Sequence, residues 1–178
     1  MARASHALVA DGRVWVIDPV DVDGLDERIH ALGEPAGVIQ LLDRHRRDCP
    51  NVAKRLGVER LKLPFGGVPN SPFEPVPVVQ NKFWNEVALW WPERKALIVP
   101  ESVGCADYFR GGNEEVGIHP MRRFSPPRKE LGRFEPEHLL TGHGTGTHGP
   151  QTAAALSDSL ANARRRIPKA VLSVFRPG

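Results

Sequence analysis

The pattern of apolar and polar residues divides the chain into short strands and a few helices. Residues 7–10 and 14–17 lie on either side of Asp11-Gly12 and predict a β-hairpin, because this pair accepts the positive φ of a two-residue turn. VALWW and ALIV flank the four residues PERK and predict a second hairpin, since large β-forming side chains fill both arms. Paired strands are therefore expected near the start and the middle of the chain.

Three segments have the apolar spacing of an amphipathic helix, with start or stop signals at their ends. They are residues 23–32, 50–56 and 151–167. In the first, Leu25, Ile29 and Leu32 share one face and Gly33 follows as a stop. Residues 37–42, GVIQLL, form a short apolar run between breakers and predict a buried strand. Alternation of strands and helices in the first half indicates an α/β chain and also suits the parallel βαβ units of an ordinary three-layer α/β domain.

Two long segments keep no helix or strand period. Residues 64–77 are rich in proline and glycine and predict a loop or an edge strand. Residues 101–136 also contain several glycines and prolines. A connection of that length in a compact domain is usually functional or partly disordered, and we expect the same here.

Composition narrows the class of protein further. The 178 residues, 40% hydrophobic and 25% charged, suffice for one well-buried core, so residues 1–178 are expected to form a single domain. A net charge of +3 does not favour nucleic acid as a partner. Two cysteines, no signal-peptide pattern and no apolar run near 20 residues predict a cytoplasmic protein without a membrane partner.

The stretch LLTGHGTGTHGP, residues 139–150, holds two histidines among four glycines. Such a loop suits metal ligands. It also suits anion binding by backbone N–H groups at a helix start, or a tight turn with solvated histidines. These three interpretations remain open from the residues alone.

Four stretches in order resemble the metallo-β-lactamase-fold hydrolase superfamily: RVWVIDP, VIQLLDRHRRDCPNVAKRLG, NEVALWWPERKALIVPES and LLTGHG. The resemblance extends over residues 14–160. It implies an α+β fold, a four-layer αββα sandwich whose two mixed sheets pack face to face. It also implies a site for one or two metal ions in loops along one edge of the sandwich.

The resemblance assigns the ligand positions residue by residue. The superfamily signature H-x-H-x-D-H falls on Asp43, His45, Arg47 and Asp48, so a single histidine of the signature remains. The later ligands of the superfamily fall near Lys82, on Glu101 and on His143. The candidate metal ligands are therefore Asp43, His45, Asp48, Glu101 and His143. Asp18, in IDP, and His148 are candidates for residues that support them.

The cations at two ligand positions argue against a two-metal site. At 4 Å and an effective dielectric of 20, an arginine would oppose a divalent ion by about 8 kcal/mol. Structural zinc sites gain only about 10–16 kcal/mol. We therefore expect Arg47 and Lys82 to replace the ions and to pair with Asp43, Asp48 or Glu101. On this interpretation the protein needs no cofactor and is a non-catalytic family member that binds a small anion or a protein.

The alternative keeps one ion and an enzymatic function. His45, Asp48 or Asp43, Glu101 and His143 offer nitrogen and oxygen donors that zinc, manganese or iron accept. The protein would then hydrolyse a small ester, thioester or lactam-like substrate. His119 and His138 are interpreted as surface or capping histidines.

Overall fold

The structure, a computed structural model, describes residues 3–46 and 48–168 and begins with a four-stranded sheet. Its strands, in spatial as well as chain order, are β1 (His6–Ala10), β2 (Arg13–Ile17), β3 (Glu34–Gln40) and β4 (Arg60–Lys62). β1 and β2 are antiparallel around Asp11 and Gly12, which have φ of 49° and 72°, so the first predicted hairpin is confirmed. β2, β3 and β4 run parallel to one another.

A second sheet contains most of the later strands. In chain order these are β5 (Glu74–Gln80), β6 (Asn85–Trp91), β7 (Ala96–Val99), β8 (Val103–Gly104), β9 (Gly117–Ile118), β10 (His138–Thr141) and β11 (Thr147–His148). The spatial order of the sheet is β11-β10-β7-β6-β5, while β8 and β9 pair separately. β6 and β7 form the second predicted hairpin, which is confirmed. β7 and β10 are the parallel pair of this sheet.

The helices lie outside the sheets. They are α1 (Leu25–Leu32), α2 (Cys49–Leu56), α3 (Arg128–Leu131) and α4 (Thr152–Asn162). α1, α2 and α4 fall within or close to the three predicted segments, and Gly33 ends α1 as expected. Within the described ranges, no helix combines the length and apolar character that crossing a membrane requires.

The first sheet buries both of its faces. Val14, Val16 and Val38 cluster with residues of α1 and α2 on one side. Trp15 and Ile17 alternate with the valines of β2 and therefore point to the opposite side. On that side they meet the second sheet.

The second sheet has the same division. Leu89, Trp91 and Ile98 face the first sheet and share a cluster with its inner residues. Leu97 and Val99 belong to the cluster that includes residues of α3 and α4. The resulting order of layers is helices, sheet, sheet, helices, which is the αββα sandwich that the sequence predicts.

The two aperiodic segments are more ordered than their composition suggests. Most of the proline-rich segment leads into β5, which lies at the edge of the second sheet, where proline costs no ladder hydrogen bond on its open side. Residues 101–136 contain β8, β9 and α3, and Phe109, Ile118 and Leu131 are fully buried. Side-chain packing without a regular period thus replaces the partly disordered loop.

A buried ion pair fixes the middle of this segment. Arg123, whose side chain is 1% exposed, places Nη2 2.6 Å from Glu114 Oε2 and donates to the Phe109 carbonyl. Arg166, beyond α4, reaches the other oxygen of Glu114 at 3.1 Å. The Ala163 carbonyl accepts from Arg123 Nη1. These contacts join residues 109–123 to the chain that follows α4.

We expect Arg123→Met to lower the free energy of unfolding by about 3–5 kcal/mol, because it leaves the Glu114 carboxylate buried with a weakened counter-charge. Urea denaturation followed by tryptophan fluorescence measures the change. Arg165→Met is the matched control, since Arg165 is exposed and should change stability by no more than about 0.5 kcal/mol. Equal stability of the two variants would contradict a stabilising role for the pair.

Candidate functional site

Three chain segments that follow strand ends meet at one edge of the sandwich. Glu101 comes two residues after β7 and His143 two residues after β10. Because β7 and β10 are parallel neighbours, their carboxyl ends lie side by side and bring these two residues together. His45 arrives from the first sheet, on the turns between β3 and α2. The site therefore lies where the two sheets meet.

The three side chains point at one another. His45 Nε2 lies 2.8 Å and His143 Nε2 3.0 Å from the same oxygen, Oε2 of Glu101. One ring nitrogen from each histidine and one carboxylate oxygen of Glu101 all lie within 4.8 Å of one another. The exposed fractions of His45 and His143 are only 8% and 7%. These residues form a compact, largely buried group of potential metal ligands.

Asp18 fixes the orientation of His45. Its Oδ2 lies 3.2 Å from His45 Nδ1, and its Oδ1 accepts from the Leu41 backbone N–H at 3.1 Å. Asp18 follows β2 directly and is 2% exposed. A carboxylate that accepts from Nδ1 leaves the Nε2 lone pair of the ring directed at the cluster.

Glu101 is electrostatically matched to the histidines around it. Burial alone would raise the pKa of Glu101, but the contacts of its carboxylate with His143 and His45 lower it far below its usual range. The Glu101 carboxyl group of the folded protein is therefore ionised at neutral pH. With neutral imidazoles on either side, this anionic oxygen attracts a cation.

A second buried carboxyl group, that of Glu86, holds the Glu101 backbone in place. Glu86 accepts from the Ser102 N–H at 2.8 Å, the Ser102 hydroxyl at 2.6 Å and the Glu101 N–H at 3.3 Å. It also accepts from Trp84 Nε1 at 2.8 Å. Burial raises the pKa of Glu86, while these donors oppose that shift. Glu86 thus ties the β7 end to the wall of the site.

The glycine-rich loop positions His143 by close packing. A Cβ on Gly142 would lie 2.2 Å from the Pro100 carbonyl oxygen, so no larger residue fits beside the Glu101 loop. The His143 carbonyl accepts from the Cys105 N–H and from the Thr141 hydroxyl, both at 2.9 Å. The loop continues into β11 rather than directly into a helix, so it does not form a helix-start anion site.

A cavity of about 340 Å³ opens over the cluster. Besides the cluster itself, its wall contains Leu42, Trp84 and two arginines, Arg3 and Arg44. The Arg44 guanidinium stacks 4.3 Å above the Trp84 ring and donates to the Phe83 carbonyl at 2.9 Å. The site therefore combines an anionic centre with a partly cationic, partly aromatic wall.

His119 also lines this cavity, and the sequence did not indicate it as a site residue. Its Nε2 lies 3.5 Å from Glu101 Oε1, and burial lowers the pKa of the imidazole. Its Nδ1 accepts from the Met121 N–H at 3.3 Å and caps a short 3-10 helix, Pro120–Arg122, so a capping role was foreseen. In the sequence, the proline that follows His119 indicates that this histidine caps a helix, but it does not indicate a place in the cavity.

The structure does not bring the other predicted carboxylates into the cluster. Asp43 Oδ2 accepts from the Asn85 N–H at 2.8 Å and so joins two chain segments. Asp48 Oδ2 accepts from the Asp21 N–H at 2.9 Å. Each is used by a neighbouring backbone, which explains why its position beside His45 in the sequence does not make it a ligand.

Lys82 and His148 also lie away from the cluster. Lys82 is exposed on the turn between β5 and β6, with Nζ 5.9 Å from the Phe83 ring centre, so it neither lines the cavity nor pairs with Glu101. Arg47 lies outside the described residues. His148 is exposed and its Nδ1 lies 3.0 Å from that of His138 across β10 and β11.

Solved metallo-β-lactamases share the architecture over most of their length. One from Pontibacter korlensis gives a TM-score of 0.60 at 12% sequence identity, over 90% of this chain and 87% of that chain. The DIM-1 metallo-β-lactamase exposed to ceftazidime gives a TM-score of 0.53 at 15% sequence identity, over 90% of this chain and 85% of that chain. No protein-family model matches the sequence, and no curated protein matches significantly. The chain has the metallo-β-lactamase fold at low sequence identity to these structures.

We expect Glu86→Gln to lower the free energy of unfolding by about 2 kcal/mol, because an amide nitrogen cannot accept from the donors around it. Urea denaturation measures this loss. The control is Glu74→Gln on the exposed edge strand, which should be close to neutral. Parental stability in Glu86→Gln would show that these hydrogen bonds do not hold the loop.

Proposed function

We propose that the protein is a hydrolase with one divalent metal ion, acting on a small ester, thioester or lactam-like substrate. The observation that carries the proposal is the convergence of His45, Glu101 and His143 at the wall of a cavity. The two solved structures compared above are metallo-β-lactamases, which supports the assignment by analogy of architecture alone.

The chemistry of the donor set fits a metal ion. Two imidazoles and one carboxylate are donors that zinc, iron and manganese accept in catalytic sites. His45 faces a carboxylate at each ring nitrogen, Asp18 at Nδ1 and Glu101 at Nε2. A neutral imidazole has one N–H and can donate to only one of them. A cation at the Nε2 side removes this conflict without an additional proton.

A single ion is the better fit to the described residues. Asp43 and Asp48, which the family resemblance suggested as further ligands, are engaged by backbone N–H groups. Within residues 3–46 and 48–168, no second group of three His, Cys, Asp or Glu ligand atoms converges. The one-metal alternative, with Asp43 and Asp48 both removed from its ligand set, is therefore the better fit.

The residues of the chain have separate tasks in this proposal. His45, Glu101 and His143 hold the ion, and Asp18 keeps the His45 ring in the binding orientation. The bound ion would supply Lewis acidity and a lowered pKa of coordinated water. Leu42 and Trp84 form apolar parts of the cavity wall.

A metal-free anion-binding protein is the second candidate, and the arginines of the cavity favour it. Arg3 and Arg44 both line the wall and could pair with a carboxylate or phosphate. These residues take the place that the sequence analysis gave to Lys82. The two candidates differ in their need for an ion, which can be measured directly.

We expect the parent protein, freed of metal, to bind one zinc ion in isothermal titration calorimetry. His143→Ala should weaken zinc binding by more than about 100-fold, since losing a ligand exceeds the about 10–100-fold effect of losing a residue that supports one. His30→Ala, on the exposed face of α1, is the control. Every protein in this comparison, the parent included, carries the additional substitution His148→Ala, so that the surface pair of His148 and His138 binds no zinc. Absence of zinc uptake by the parent would favour the anion-binding candidate.

Asp18→Asn should weaken zinc binding by about 10–100-fold while leaving one site per chain. The asparagine keeps the size of the side chain but loses the charge that favours the Nδ1–H form of His45. Calorimetry under the same conditions measures the change. An unchanged affinity would mean that Asp18 only supports the backbone at Leu41.

The zinc-loaded protein should hydrolyse at least one of three probes: 4-nitrophenyl acetate, an aryl thioacetate or a chromogenic β-lactam. Turnover should disappear with a chelator, return with zinc, and be lost in His143→Ala. Spectrophotometric initial rates report the outcome. Zinc binding without turnover above the His143→Ala rate would reject hydrolysis of these substrate classes.

A further inference from the structure

One cavity side chain, His119, has no task in the proposed metal site. Its ligand atoms are not part of the converging group of His45, Glu101 and His143. It nevertheless lines the same cavity and is 8% exposed. A polar ring held beside a reaction site calls for a functional explanation.

The hydrogen bonds of His119 define which ring nitrogen carries the proton. Nδ1 accepts from the Met121 N–H at 3.3 Å, at the start of the short 3-10 helix. An imidazole nitrogen that accepts holds a lone pair, so in the neutral ring the proton is on Nε2. A nitrogen that bears a proton cannot ligate a metal through a lone pair. This makes the Nε2 of His119 a donor rather than a ligand.

Packing fixes the direction of that donor. The ring lies edge-on to Trp84, Tyr108 and Phe109, with centroid distances of 5.1, 5.7 and 5.6 Å. The backbone N–H of His119 donates to the Ser102 carbonyl at 3.0 Å, next to Glu101. Rotation of the ring would disturb three aromatic contacts and the helix cap.

The separation between His119 and the Glu101 carboxylate leaves room for a ligand oxygen. Nε2 lies 3.5 Å from Glu101 Oε1, which is longer than the 2.7–3.2 Å of an ordinary N–H···O bond. At this separation the bond to Glu101 is weak, so the donor can bond instead to an oxygen that enters the cavity. Donors preset beside a reacting group stabilise the oxygen on which negative charge develops.

We infer that the Nε2–H of His119 donates a hydrogen bond to an oxygen of the substrate, a carbonyl or carboxylate oxygen bound beside the metal. This inference rests on the proposed function for the identity of the neighbouring ion. It assigns to His119 a substrate-binding role, and it makes an oxygen acceptor next to the scissile bond a requirement of the substrate class.

Two substitutions separate this role from metal binding and from packing. His119→Phe keeps an aromatic ring but removes the donor, whereas His119→Gln returns an N–H near the position of Nε2. Zinc affinity and then acetate affinity of the zinc-loaded protein are measured by calorimetry. We expect equal zinc affinity in all three proteins, about tenfold weaker acetate binding in His119→Phe, and partial recovery in His119→Gln.

Other results would overturn the inference. Zinc binding weakened tenfold or more in both variants would identify His119 as a ligand, and unchanged acetate binding in His119→Phe would remove its role as a donor. Nitrogen NMR of the parent, assigned by the signals missing in His119→Gln, decides independently of folding in the phenylalanine variant. Protonated Nε2 supports the inference, and protonated Nδ1 contradicts it.

Failure of the metal proposal is distinguishable from failure of this one. If the parent takes up no zinc, the proposed function is wrong. Acetate titration of the metal-free proteins then tests the donor alone. Weaker binding in His119→Phe than in His119→Gln supports a donor to an anion, and equal binding contradicts it.

Discussion

Parallel pairing of β7 with β10 is the constraint on which the site depends. It places the loops after both strands at the same edge, and the Gly142 contact with Pro100 lets those loops touch. The first sheet joins this edge through backbone bonds: the Val87 N–H donates to the Leu41 carbonyl at 2.9 Å. His45 therefore meets its partners because the two sheets are connected beside it, not through packing of their inner faces alone.

Two buried carboxyl groups next to the cluster hold its residues in position. Asp18 links a ring nitrogen of His45 to the Leu41 backbone, and Glu86 links the Glu101 backbone to Trp84. Each uses both of its oxygens, which compensates for removing a polar group from water. Both lie in the shell around the cluster, so its geometry is determined before any ligand arrives.

Much of the architecture follows from local pattern, and the site follows only in part. The Asp11-Gly12 turn and the PERK hairpin depend on neighbouring residues, so the sequence predicts them. His45, Glu101 and His143 could be nominated because the family resemblance assigns each of them a ligand position. The expectation that Lys82 lies at the site was wrong because the turn before β6 directs this side chain to solvent. An alignment of sequences does not show the direction of a side chain. His119 lies in an aperiodic segment, where proximity to Glu101 arises from tertiary packing alone.

The spacing of the ligands along the chain also bears on how the protein folds. His45 is 56 residues from Glu101, and Glu101 is 42 from His143. Ligands this far apart cannot nucleate structure as the closely spaced ligands of a zinc finger do. The strands of both sheets must pair first. Pairing of strands that are far apart in the chain is slow, because the entropy of closing the loop is lost before the contacts that offset this loss have formed. We therefore expect the His45, Glu101 and His143 group to form late, so that its presence reports assembly of the whole sandwich.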